Sequence, residues 1–403
     1  MDSHKNSSSL ADIASCLAGY DPEALRVPLA QDFIARLLPR LQGSEQQESL
    51  GLQAALGRVL ARDIVSGVQV PAQDNAAMDG YALRGSDLRP DAEARLIVAG
   101  TSLAGCAPGA ALAAGQCQRI MTGAPMPMGL DTVVPQEYTR VEPGLVIIPP
   151  GAVRPGDNRR RAGEDLALGQ MPLRAGRRLQ PADLGLLASL GLAEVPVWRR
   201  LKVAILSTGD ELRPVGAPLP PGCVHDSNRY TMWAMLTRLG VEVIDLGLVR
   251  DDPLALREAL GRAAREADAV LSSGGVGVGE ADHTKQVMAE LGEVMFWKLA
   301  MRPGRPLAVG RIASDGHQAM LFGLPGNPVA VMVSFYAFVR EALLLMSGAT
   351  PTPLPLLRAA TTTALRKKPG RTEYQRGIVS RAAEGGGWQV EITGHQGSGM
   401  LAS

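Results

Sequence analysis

The sequence predicts a multidomain chain of α/β and β type: a β-rich N-terminal region, a mostly parallel α/β domain, and a small β unit at the end. Three observations carry that prediction. From Leu201 onward apolar runs alternate with helical patterns: strand at 201–206, helix at 229–239, strand at 241–246, helix at 253–265, strand at 269–271. That alternation marks a parallel, doubly wound sheet. Between Val65 and Pro196, Gly and Pro recur every few residues among short apolar runs such as 95–98 and 145–148, the texture of small β modules and turns. After Gly348 a Pro-rich stretch reads as a stiff linker into a last β unit that carries Glu391, Ile392 and Thr393.

The elements follow in order. Residues 1–19 read as a flexible tail, and 20–199 as an N-terminal region with a β module inserted at about 65–167. Helical patterns are expected at 28–41 and around 50–60. The α/β domain spans 200–349, and its helix at 253 starts well, with Asp252 to cap it and Pro253 in its first turn. Leu256, Leu260 and Ala263 share one face of that helix. The apolar stretch 329–346 is interrupted by Arg340 and Glu341, so it reads as a buried helix rather than a membrane span. Residues 350–403 form the final unit.

Composition narrows the function. At 403 residues the chain has room for several cores. With Lys+Arg 41 against Asp+Glu 40, no global field favours nucleic acid or an anionic membrane, so any anion site must be local. Cys16, Cys106, Cys117 and Cys223 form neither a CxxC pair nor a metal-spaced set with His. That usage fits a reducing cytoplasm. Residues 1–20 show no basic start and apolar core of the secretory kind.

Chemistry concentrates in loops. Ser272 to Asp282 follow a strand and precede a helical stretch at 284–291, an order that puts backbone N–H groups at the positive end of a helix dipole. Gly274, Gly275, Gly277 and Gly279 remove the Cβ atoms that would hold an anion away. Asp282 adds a carboxylate, and Mg²⁺ takes one or two carboxylates together with water and phosphate oxygens. The same loop also fits a plain tight turn.

Four more loops carry suitable groups. Thr208 and Glu211 follow the first α/β strand, and Asp251 and Asp252 follow the second. Lys298, Arg302 and Arg305 gather in a loop stiffened by Pro303, Gly304 and Pro306. Residues 323–328 form a strand-to-helix turn with Asn327 at the cap and Pro328 at the first helical position. In a doubly wound sheet these loops meet at the carboxyl ends of the strands, placing acids for a cation beside bases for an oxyanion. Plainer readings stay open: Glu211 as a solvated acid, Asp251 or Asp252 as a cap, Arg302 and Arg305 as surface charges. In the β-rich half, 74–82 and 156–165 fit either a site or solvated turns.

Taken together, 75–82, 121–127, Gln136 with Glu137, 159–165, 207–212, 226–228, the glycine loop with Asp282, 301–306 and 323–329 resemble the molybdopterin molybdenumtransferases, the MoeA and gephyrin E-domain family. The match runs in order from about Pro28 to the C-terminus. The resemblance implies a β-rich N-terminal region, a molybdopterin-binding-like α/β domain with a mixed, mostly parallel sheet, and a small C-terminal β-barrel, in an L-shaped homodimer. Its reaction cleaves adenylylated molybdopterin in the presence of Mg²⁺ and molybdate, releasing AMP and leaving molybdenum on the dithiolene. The cleft lies between the α/β domain of one subunit and the β module of the other.

Residue by residue, the resemblance assigns Asp79, Thr122, Asp165, Glu211, Asp251 and Asp282 to catalysis, with Glu211, Asp251 and Asp282 on the metal. It assigns Thr208, Gly274, Gly275 and Gly277 to the pterin phosphate or the adenylate, Lys298, Arg302, Arg305 and Ser398 to molybdate, and Ser272 and Pro325 to substrate binding. Ala76 and Gly277 stand where the family usually has Ser, and Arg302 and Arg305 where it has Lys, which keeps the charge but exchanges a point cation for a planar fork. A chain ending at Ser403 would leave the barrel short of its last strands. The implied partners are the molybdopterin adenylyltransferase and molybdoenzyme maturation proteins. Two rivals remain: a scaffold of the gephyrin type, or an adenylyltransferase. Four acids at 79, 165, 211 and 282 argue against the first and the long β-rich half against the second.

Overall fold

A computed structural model of the chain describes residues 9–276, 283–383 and 385–402. At its centre is a six-stranded sheet in the order Glu242–Val249, Lys202–Thr208, Ala269–Ser273, His317–Leu324, Pro306–Ser314, Gly292–Lys298. The first four strands are parallel, Pro306–Ser314 runs antiparallel to both its neighbours, and Gly292–Lys298 again runs with the first four, so the sheet is mixed and mostly parallel. The central strands are buried on both faces, as their continuous apolar runs require. One face is covered by Val27–Leu37, Asn228–Leu239 and the helical stretch Pro328–Met346; the other by Pro253–Glu266 and His283–Leu291.

The helix Pro253–Glu266 behaves as its sequence dictates. Asp252 accepts from the N–H groups of Leu254 (3.1 Å) and Ala255 (3.0 Å), and Leu256, Leu260 and Ala263 are buried against the sheet. Asp252→Ala should therefore lower stability by about 1 kcal/mol, the usual value of such a cap, read as a fall in melting temperature without loss of fold. An unchanged melting temperature would show that the cap contributes nothing here. The Pro328–Met346 stretch has a mean hydropathy of 1.8, enough in composition to cross a membrane, yet 67% of it is buried inside the fold. It is a core helix, as its charges Arg340 and Glu341 suggest.

Two expectations need correction. The tail holds a helix, Leu10–Ser15, because Ser9 and Asp12 form a reciprocal capping box and Leu10 and Ile13 bury against the main core. Residues around 50–60 are not helical. Gln47–Gly51 is a strand paired antiparallel with Glu194–Trp198, and the chain then turns through Gly57 at φ +74°. Leu50 through Leu60 show helical spacing, but pairing with 194–198 wins once Leu60, Val195 and Val197 bury together.

The β module is a six-stranded sheet in the order Thr132–Pro135, Gly80–Leu83, Gln116–Ile120, Ala94–Ser102, Leu145–Ile148, Arg140–Glu142. Cys117 lies in its core, where burial pushes the thiol up to about 12 and keeps it protonated and unreactive at neutral pH. In the C-terminal unit, the described residues form a three-stranded sheet of Ala360–Thr361, Trp388–Ile392 and Gly377–Arg381. A separate short pairing, Met301–Arg302 with Thr372–Glu373, ties this unit to the α/β domain.

Candidate active site

A cleft of about 920 Å³ opens at the carboxyl edge of the central sheet, lined by Glu211, Asn228, Arg302, Arg305, Pro325 and Ser398 among others. Loops following several different strands thus converge, as doubly wound topology demands. The C-terminal unit supplies one wall. Val329 N–H donates to the Ser398 carbonyl (3.0 Å) and Asn327 Nδ2 donates to Ser398 Oγ (3.0 Å). Asn327 therefore occupies the cap position of its helix but directs its amide to Ser398 instead of the helix N–H groups.

Arg302 ends the short strand Met301–Arg302, and Arg305 lies on the loop from it to Pro306–Ser314. Their backbone is held from both sides: Tyr374 N–H donates to Arg302 O (2.8 Å) and Leu299 N–H to Arg305 O (2.6 Å). Between them Gly304 has φ +92°, and a Cβ there would lie 2.8 Å from Ser334 Oγ. Neither guanidinium has a carboxylate partner among the described residues. Lys298 differs. Its ammonium is paired with Glu23, and it lies outside the cleft lining.

The glycine turn adjoins this cleft, since a Cβ on Gly326 in the cleft wall would lie 4.0 Å from Gly274 Cα. Gly274 has φ +94°, and a Cβ on it would come within 2.2 Å of the Thr208 carbonyl oxygen. Gly275 has φ +64°, and its Cβ would come within 2.3 Å of Thr284 Oγ1. Only glycine fits either position. Gly274 N–H already donates to Leu324 O (3.2 Å), so that N–H is not among the free donors the glycine pattern suggested. Hydroxyls take its place: Thr208 Oγ1, Ser272 Oγ and Thr284 Oγ1 are all buried with no partner among the described residues. Gly277 and Asp282 lie outside the described residues.

The acids fall into two groups. Glu211 lines the cleft, its carboxylate folded over Gly209. Asp251 follows the Glu242–Val249 strand with a buried Oδ1 that has no partner. Asp79 and Thr122 belong to the β module, where Thr122 donates both Oγ1–H and N–H to Asp79 Oδ1, each at 2.7 Å. The Thr122 hydroxyl, and then its N–H, hold the Asp79 carboxyl below the usual carboxylate range, so it is ionised at neutral pH. Asp165 is exposed on the same module, its N–H donating to Val70 O (3.0 Å). Neither Asp79 nor Asp165 lines the cleft within this chain.

Three models of known families match consecutive parts of the chain. The MoeA N-terminal region (domain I and II) matches 25–191, a probable molybdopterin binding domain matches 204–345, and the MoeA C-terminal region (domain IV) matches 358–403. A molybdopterin molybdenumtransferase of Haemophilus influenzae is 42% identical over 370 residues, covering 92% of this chain and 90% of its own. The chain belongs to the molybdopterin molybdenumtransferase family. A molybdopterin molybdenumtransferase of Nostoc sp. is 40% identical over 321 residues, covering 79% of this chain and 73% of its own. The crystal structure of a molybdopterin biosynthesis MoeA protein from Pyrococcus horikoshii superposes with a TM-score of 0.78 at 28% identity, covering 94% of this chain and 92% of that one.

Within this molybdenumtransferase fold the structure adds residues that spacing alone had not singled out. Thr284 completes the hydroxyl set at the glycine turn. Arg376 donates to His395 O (2.8 Å) and Gly397 O (3.4 Å), shaping the turn that carries Ser398. Asp226, already part of the 226–228 segment, is 1% exposed and accepts from Ser207 Oγ (3.0 Å) and Arg229 Nε (2.9 Å), locking the end of the first strand to the next helix.

Proposed function

We propose that this molybdenumtransferase cleaves adenylylated molybdopterin in a Mg²⁺- and molybdate-dependent reaction, releasing AMP and leaving molybdenum on the dithiolene. The observation that carries this reading is the pair of guanidiniums, Arg302 and Arg305, without a carboxylate partner among the described residues in a cleft beside three unpartnered hydroxyls. A planar guanidinium offers two parallel N–H donors, which suit two oxygens of a tetrahedral dianion. Ser398, fixed by Asn327, adds a hydroxyl from the opposite wall. Thr208, Ser272 and Thr284 donate to phosphate oxygens, and Gly274 and Gly275 let the turn pack directly against the Thr208 carbonyl and the Thr284 side chain, which holds this hydroxyl set in place.

The donor set also suits Mg²⁺. Among the described residues no three acids cluster, but Mg²⁺ needs only one or two carboxylates when phosphate supplies further oxygens. Asp251, with its unpartnered buried oxygen, Glu211 in the cleft and Asp282 are the carboxylates from which those one or two ligands would come. Held by these residues, Mg²⁺ would supply charge neutralisation and polarisation of the phosphoanhydride. Asp79, Thr122 and Asp165 complete the cleft from the second subunit of a homodimer, which accounts for their absence from the lining within one chain. The enzyme takes its substrate from the molybdopterin adenylyltransferase and passes product to maturation proteins in the cytoplasm, where four free cysteines are at home.

AMP release tests the reading. Purified protein with adenylylated molybdopterin, Mg²⁺ and molybdate should release AMP, and omission of molybdate should suppress it. Arg302→Ala should raise the molybdate midpoint about 10- to 100-fold, because a hydrogen bond to a charged group contributes about 1.5–3 kcal/mol. Pterin binding by calorimetry should change little. Collapse of pterin binding with an unmoved molybdate midpoint would place the pterin, not molybdate, on this loop.

A further inference from the structure

Asn228 opens the helix Asn228–Leu239 in the wall of the cleft and is 8% exposed. Its Nδ2 donates to Ser273 Oγ (2.8 Å) and to the Gly326 carbonyl (2.6 Å). A carbonyl oxygen can only accept, so the Gly326 contact fixes which end of the amide is nitrogen. Both amide protons are thereby used, and they tie the strand end before the glycine turn to the loop before Pro328. Oδ1 remains, buried and without a partner among the described residues. Buried side-chain acceptors are nearly always paired, and an orphan in a ligand cleft marks a contact completed by the ligand.

The chemistry of that contact is restricted. Arg302, Arg305, Thr208 and Ser272 all offer protons, which suits phosphate and molybdate. Oδ1 offers none and is repelled by both anions. It requires an N–H or O–H donor. We propose that Asn228 is a substrate-contacting residue whose Oδ1 accepts a hydrogen bond from a neutral donor of adenylylated molybdopterin, either an amino or ring N–H of the pterin or a hydroxyl or amino group of the adenylate. The inference rests on the function proposed above. Asn228 thus reads the uncharged part of the substrate, while its nitrogen holds the two loops that read the charged part.

Three proteins separate the two ends of the amide. Asn228→Asp keeps an acceptor oxygen but removes the donor; Asn228→Leu keeps the approximate volume but removes both, with Asn228→Ala as its replacement should the leucine variant fail to fold. Calorimetry is run on wild type and variants with adenylylated molybdopterin and, separately, with AMP, alongside thermal melts and AMP-release kinetics. Both substitutions should lower the melting temperature, since both break the tie to Gly326. The leucine or alanine variant should bind adenylylated molybdopterin about tenfold more weakly than Asn228→Asp, with the difference in KM rather than kcat. If AMP binding shows the same difference, the donor belongs to the adenylate; if only the full substrate shows it, to the pterin. Leucine and alanine variants that melt lower than wild type yet bind adenylylated molybdopterin as tightly as wild type overturn the inference and reduce Asn228 to a tie between loops. Wild-type protein that releases no AMP overturns the proposed function instead.

Discussion

Gly275→Ala is expected to reduce AMP release about 100-fold, the scale on which a displacement of about 1 Å in a positioned site acts. At φ +64° the added Cβ would lie 2.3 Å from Thr284 Oγ1 and 2.5 Å from Thr284 Cβ. Thr284 is fully buried in a helix packed on the sheet, so it cannot swing away, and the turn must move instead. That movement takes the turn and the Thr284 hydroxyl out of register with one another. Backbone strain alone is controlled by Gly191→Ala, where φ is +74° but a Cβ would meet nothing within 4 Å. The control should lose stability by about 1 kcal/mol and keep its activity. If both variants release AMP at the wild-type rate, the glycine turn takes no part in substrate binding.

The second large effect is a rescue. Asp79→Asn and Glu211→Gln should each be nearly inactive, yet a mixture of the two after subunit exchange should recover about a quarter of wild-type activity. Random pairing makes half the dimers hybrid, and each hybrid carries one cleft with both acids intact. Asp79→Asn retains Thr122 as a neighbour but loses the charge that the Thr122 hydroxyl stabilises. Absence of rescue, with exchange confirmed by mass-labelled subunits, would mean that Asp79 and Glu211 do not complete one another across a dimer.

What the sequence made legible follows from how local each signal is. The helix at 253 was readable to within a residue because its cap, its Pro and its apolar stripe are all contained in fourteen residues. Leu50 through Leu60 misled because their partner strand lies at 194–198, and no local pattern reveals a pairing so distant in the chain. The short helix at Leu10 was hidden by its brevity, although Ser9 and Asp12 at capping-box spacing were a usable signal. In the site, Arg302 and Arg305 were visible as cations in a Pro-fixed loop, whereas the partnering of Lys298 with Glu23 required the fold. Arg376 carried no signal of its own. Its importance comes from the His395 and Gly397 carbonyls, which only tertiary structure brings to it.

The ladder between Gln47–Gly51 and Glu194–Trp198 has a mechanical consequence. Everything from Leu52 to Ala193, including the six-stranded module, leaves and re-enters through that one pair of neighbouring strands. The ladder does not carry that segment alone: Arg178 donates to the Leu239 carbonyl (3.0 Å), Thr350 N–H to the Gly176 carbonyl (2.8 Å), and Val59 packs with Leu344 and Ala349, so the root of the segment is braced to the α/β domain while Asp79 and Thr122, bonded to one another further out, keep their mutual geometry.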